Sequence, residues 1–124
     1  MSENANPFDG QLLRDTHYRR SDMTGSNFDG VNLTEARFYA VLTRAAFTDT
    51  DLGDAVFNDV NLSGARFNNV NLAGVAITDA NLSGATFSGV SLANATINDA
   101  DLTGMRINGI LVSDLFAAYE RQSP

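Results

Sequence analysis

Large apolar residues recur at every fifth position along most of this chain. From residue 45 onward they read Phe47, Leu52, Phe57, Leu62, Phe67, Leu72, Ile77, Leu82, Phe87, Leu92, Ile97, Leu102, Ile107 and Val112. Two places before each stands a small or β-branched residue, from Ala45, Thr50, Ala55 and Val60 through to Ala95 and Ala100, with Met105 and Ile110 closing the series. A step of five turns an α-helix by about 140°, which would scatter the large residues around all its sides. On a flat strand an odd step would send every second one outward. All of them are buried together only if each five-residue unit is a short extended piece followed by a corner. The chain must then coil around its own core, as a solenoid.

The residues after each large one fit this geometry. Asn58-Asp59, Ser63-Gly64, Asn68-Asn69, Thr78-Asp79 and Asn98-Asp99 are typical pairs. Gly, Asn and Asp tolerate the backbone conformations that tight corners demand. Units such as Ala80-Asn81-Leu82-Ser83-Gly84 and Ala100-Asp101-Leu102-Thr103-Gly104 resemble the pentapeptide-repeat family, whose consensus is A(D/N)LXX. The resemblance extends over residues 6–114. It implies an all-β, right-handed quadrilateral β-helix with four units per coil; the alternation of Phe or Ile with Leu at the centre is compatible with two units or four. With four, residues twenty apart stack. Phe47, Phe67, Phe87 and Ile107 then form one internal column and Phe57, Ile77 and Ile97 the opposite one, with Leu columns between. The expected solenoid has about five coils, rising about 4.8 Å each.

Backwards from Phe38 the same step gives Leu33, Phe28, Met23, Tyr18, Leu13 and Phe8, but the small position turns polar, ending in Gln11 and Asn6. Residues 6–20 are read as degenerate repeats or a cap, and 1–5 as a disordered tail. Phe38 and Phe47 are nine apart, so one residue is missing, and 41–44 is assigned as a four-residue unit with Leu42 pointing inward. At the other end Val112, Leu115, Phe116 and Tyr119 follow helical spacing, with Ser113 as N-cap and Asp114 suited to the first turn. A helix over 114–122 is expected. It either caps the last coil or forms a homodimer through Leu115, Phe116 and Tyr119; family members that dimerise through C-terminal helices support the second.

Composition narrows the function classes. The 124 residues form one domain with no Cys, which rules out disulfides and thiolate metal sites. The net charge of −7 disfavours direct nucleic-acid binding and favours solubility or a basic partner surface. The first residues lack the basic and apolar segments of a secretory signal, and no window approaches a membrane span, so a cytoplasmic protein is expected.

Four units per coil would align Asp59, Asn61, Asp79, Asn81, Asp99 and Asp101 along one edge as an acidic strip. The strip either imitates a row of phosphates or reflects turn chemistry alone. Like charges about 4.8 Å apart in water cost only about 0.9 kcal/mol per pair, so structure tolerates the strip without any function. The single histidine, His17, lies near Asp15, but no nucleophile motif accompanies it. Arg37, Arg66 and Arg106 occupy outward positions. No cofactor, metal site or catalytic set is expected. The resulting expectation is a non-catalytic protein–protein interaction scaffold with a protein partner. The alternative is an acidic DNA-mimic that binds a type II topoisomerase, as the resemblance to fluoroquinolone-resistance pentapeptide proteins implies.

Overall fold

The computed structural model describes residues 13–122. Residues 1–12, which include the expected tail and the first degenerate units, lie outside the described residues. The chain forms a β-solenoid with four faces per turn. Its strands are short because a corner follows every unit: β1 (His17–Asp22), β2 (Asn27–Asp29), β3 (Arg37–Val41), β4 (Ala46–Thr48), β5 (Val56–Asn58), β6 (Arg66–Asn68), β7 (Ala76–Thr78) and β8 (Thr86–Ser88). Alternate strands stack in parallel, giving one sheet in the order β1-β3-β5-β7 and an opposite sheet in the order β2-β4-β6-β8. The two remaining faces are narrower ladders, Asn32–Asp51–Asn71–Ser91 and Val41–Asn61–Asn81.

Corner chemistry follows the sequence period. The fifth residue of each unit has positive φ, as at Asp15, Arg20, Gly25, Gly30, Glu35, Arg44, Asp49, Asp54, Asp59, Gly64, Asn69, Gly74 and Asp79. This left-handed residue turns the chain through the corner and returns the next small and large pair to the interior. The outward residue before each large one then locks the turn on the Leu faces. The Oδ1 atoms of Asn61, Asn71 and Asn81 each accept the backbone N–H two residues on, at 3.0, 2.9 and 2.9 Å.

Inside, the rings stack as the twenty-residue register demands. Phe47 and Phe67 lie 4.9 Å apart with planes 4° from parallel, and Phe67 and Phe87 repeat this at 4.8 Å. The facing column runs Tyr18, Phe38 and Phe57 at 4.9 and 4.6 Å. Across the core the columns meet edge to face, as at Phe38–Phe47, 6.5 Å and 90°. Both arrangements suit the ring quadrupole. Tyr18 joins the facing column, so this part of the degenerate segment stacks on the next coil. Among the described residues Thr50 is the buried polar exception, and its hydroxyl donates to the carbonyls of Thr48 at 2.8 Å and Phe28 at 3.1 Å.

The missing residue falls one step earlier than the sequence assignment. Ser21 pairs with Ala40 and Asp22 with Val41, while Arg20 is left without an opposite number. Ala40 is buried and its carbonyl accepts from Asn61 N, the role that Val60 plays for Asn81 one turn on. Ala40 therefore fills the small position of a complete unit, 40–44, and the short unit is 36–39. It lacks its left-handed corner residue, so β3 runs straight on to Val41. Leu42 does point inward and is fully buried.

The far end also departs from expectation. Parallel pairing extends over about four turns and ends with Ser91, rather than the expected five coils. Corners persist at Asn94, Asp99 and Gly104, yet Ile97 and Ile107 stay exposed. Further on, Asn108-Gly109 breaks the pattern of corners. Both have positive φ, 50° and 80°, which makes a tight reversing turn between β9 (Arg106–Ile107) and β10 (Ile110–Leu111). The final repeat is thus an antiparallel hairpin, tied by Arg106 Nη1 donating to the Gly109 carbonyl at 3.1 Å. Helix α1 (Val112–Gln122) begins two residues before the expected start, placing Ser113 inside it and Asp114 in its first turn. Val112 is its buried residue, while Leu115, Phe116 and Tyr119 are each exposed in part.

Candidate functional site

The straightened corner at 39–40 opens a groove of about 700 Å³. Four stacked triplets line it: Arg20-Ser21-Asp22, Tyr39-Ala40-Val41, Asp59-Val60-Asn61 and Asp79-Ala80-Asn81. Three of the triplets contain the corner position, the small residue and the first outward residue of the next face; in Tyr39-Ala40-Val41 the corner residue is missing and Tyr39, which pairs with Arg19, stands before the small residue instead. Four of the six residues of the expected acidic strip are brought together here: Asp59, Asn61, Asp79 and Asn81. Asp99 and Asp101 are not, because parallel pairing stops at Ser91.

The strip residues divide by what holds them. Asp59 and Asp79 are corner residues, φ 55° and 51°, with side chains projecting from the edge. Asn61 and Asn81 spend an oxygen on the turns they close. Asp101 does the same with Thr103, accepting the hydroxyl at 2.7 Å and the backbone N–H at 3.0 Å. Its carboxyl is held below the ordinary range, first by the Thr103 hydroxyl and then by that N–H; desolvation acts in the opposite sense. Asp22, in the groove wall, is lowered in the same way by the Thr24 hydroxyl and then the Thr24 N–H. Turn chemistry thus explains Asn61, Asn81 and Asp101, while Asp59, Asp79 and Asp99 face solvent from corners, Asp99 beyond the end of the paired ladder.

Sequence reading passed over two features. Tyr39 and Val41, which flank the missing residue, are exposed apolar groups in the groove, 41% and 40% accessible. A nine-residue step between Phe38 and Phe47 was the signal, but its position depends on which corner is short. On another corner, Asp15, Glu35 and Asp54 stack beside His17, Arg37 and Val56 around a smaller groove of about 450 Å³. His17 and Asp15 thus do lie together, on an open surface. Among the described residues no group of three or more His, Asp or Glu side chains is arranged to hold a metal ion.

Two pentapeptide-repeat family models match the chain. One, described as a pentapeptide repeat region, covers residues 40–116. The chain is a pentapeptide-repeat protein. The second model, pentapeptide repeats in eight copies, covers 8–38. The two matches meet at residue 39, where the corner residue is missing. Among solved structures, a pentapeptide repeat protein from the Arabidopsis thaliana thylakoid lumen is similar, at 29% identity and a TM-score of 0.67. The match covers 74% of this chain and 65% of that one, so the pentapeptide-repeat chain described here spans under two thirds of its relative's length. A pentapeptide repeat protein from the cyanobacterium Cyanothece aligns at 21% identity and a TM-score of 0.38, over 64% of this chain and 82% of that one. Comparison with curated proteins finds no match. Among the described residues no helix is long and apolar enough to cross a membrane.

Proposed function

We propose that this protein is a non-catalytic interaction scaffold that presents its corner groove to a partner protein. The observation that carries the reading is the convergence of Asp59 and Asp79 with exposed Tyr39 and Val41 at the corner where, within the paired ladder of the described residues, the repeat is one residue short. A rigid ladder supplies the preorganised surface that a binding module needs. Family membership supports the reading, since the repeat is a structural one.

The test is retention of proteins from the native extract on the immobilised chain. Specific retention should be lost when Asp59→Lys and Asp79→Lys are combined and kept with Asp49→Lys on a different corner. Turnover of any substrate that disappears with a single side chain would overturn the reading.

The topoisomerase reading draws on the same two carboxylates. Asn61 and Asn81 carry no charge, and Asp99 and Asp101 lie past the paired ladder, so the scaffold is the conclusion. A gyrase supercoiling assay should show no inhibition by this protein. A homodimer is part of the proposal, because the apolar side chains of Leu115 and Phe116 are exposed on α1.

A further inference from the structure

The groove has a chemistry of its own. Its walls carry three carboxylates, Asp22, Asp59 and Asp79, against one cation, Arg20. At the second coil its exposed outward residues are apolar, where the matching residues of neighbouring coils are polar. Tyr39 pairs with Arg19, and the next residues along that column are Asn58 and Thr78. Val41 pairs with Asp22 on one side and Asn61 on the other, with Asn81 beyond. The apolar pair therefore coincides with the missing corner residue. That absence removes a projecting group between Arg20 and Asp59 and leaves the recess.

We propose that this recess binds a cationic segment of a partner protein, seating the aliphatic stem of an arginine or lysine on Tyr39 and Val41 with its charge beside Asp59 and Asp79. The inference rests on the scaffold reading and names the partner's chemistry. Arginine and lysine suit such a site because the stem covers apolar surface while the head group remains polar. The Tyr39 ring adds a face for the cation. Adjacent coils are about 4.8 Å apart, so one cation lies within reach of both carboxylates. The first twelve residues of this chain contain Glu3 and Asp9 and no Lys or Arg, so charge points away from the protein's own N-terminal segment as occupant.

The experiment is a nuclear magnetic resonance titration of the full ¹⁵N-labelled chain with the acetylated, amidated peptide Leu-Arg-Leu-Arg-Leu. The same peptide with Glu in place of Arg is the control. Saturable shifts are expected at residues 20–22, 39–41, 59–61 and 79–81, and none with the control. Combining Asp59→Asn with Asp79→Asn should weaken binding by about tenfold or more, as loss of two charge-assisted contacts requires. Asn is tolerated at such corners, as Asn69 shows with φ 56°. Inserting one Gly between Tyr39 and Ala40 restores the five-residue unit and keeps every carboxylate. It should abolish the localised shifts. Should that insertion unfold the chain, Tyr39→Thr with Val41→Asn, which copies the polarity of the next coils, decides the matter. Equal shifts along the Asp15, Glu35 and Asp54 corner, or binding unchanged by filling the recess, would overturn the proposal by showing attraction to net charge alone. Partner capture that persists on another face would then leave the scaffold reading standing, whereas turnover would remove that reading independently.

Discussion

At the scale of single residues, the fold is a matter of which side chains tolerate a left-handed backbone every five positions. Asp and Asn take most non-glycine corners, but Arg44 sits there too, at φ 58°. For an L residue this conformation costs about 1–2 kcal/mol, part of which glycine's extra chain entropy would give back. Arg44→Gly should therefore raise the unfolding free energy by about 0.5–1 kcal/mol, read by urea denaturation; a loss would show that the Arg44 side chain matters more than its backbone. The second position obeys a different rule, because its side chain closes a turn. Thr103→Val should raise the Asp101 pKa toward the ordinary value, seen in a carboxyl titration. The sign for stability follows from the lowered folded pKa. The contribution is present above the unfolded value of about 3.9 and fades as pH falls through the lower folded one. Asp22 and Thr24 should behave alike.

At the scale of elements, the repeat specified which residues face inward but not where each ladder stops. The inward positions were legible because burial of one large residue per unit requires a coil, whereas the stacking of residues twenty apart into Phe and Leu columns followed from the family resemblance, which implies four units per coil. The short unit was legible only as a count. Ala40 and Ala45 are both small enough for the inward position, and only the pairing of Ser21 with Ala40 shows that the gap lies after Tyr39. The terminal hairpin was hidden for a related reason. Asn108-Gly109 fits a solenoid corner as well as a reversing turn, and two consecutive positive φ values settle it. The columns give a graded prediction. Phe47→Ala removes a fully buried ring and should cost about 3–5 kcal/mol, whereas Phe87→Ala, at 41% exposure, should cost about 1 kcal/mol. Equal losses in thermal or urea unfolding would mean that a further coil covers Phe87. Phe116→Asp on α1 should convert any dimer to monomer in analytical ultracentrifugation without changing the unfolding midpoint of the ladder, because Phe116 is exposed.

Across the whole molecule, four stacked turns give a stiff polar prism with little to distinguish one face from another. A regular solenoid contacts only its neighbours, so its surface repeats as its core does. Specificity must then come from departures from the repeat. The largest within the paired ladder is the absent corner residue, which gathers Tyr39, Val41, Asp59 and Asp79 in one place. Of the strip read from the sequence, Asp59, Asn61, Asp79 and Asn81 belong to this place. Asp99 and Asp101 dropped out because the stacking that would align them ends at Ser91. The most direct measurement is photocrosslinking in the cells that make the protein, with a photoreactive residue placed at Tyr39, at Asn68 on the β6 face, or at Ala73 on the Asp51–Asn71 face. A protein adduct forming from position 39 and not from 68 or 73 is the predicted result. An adduct forming equally from all three, or from 68 or 73 alone, would contradict the claim that the broken corner is where this scaffold meets its partner.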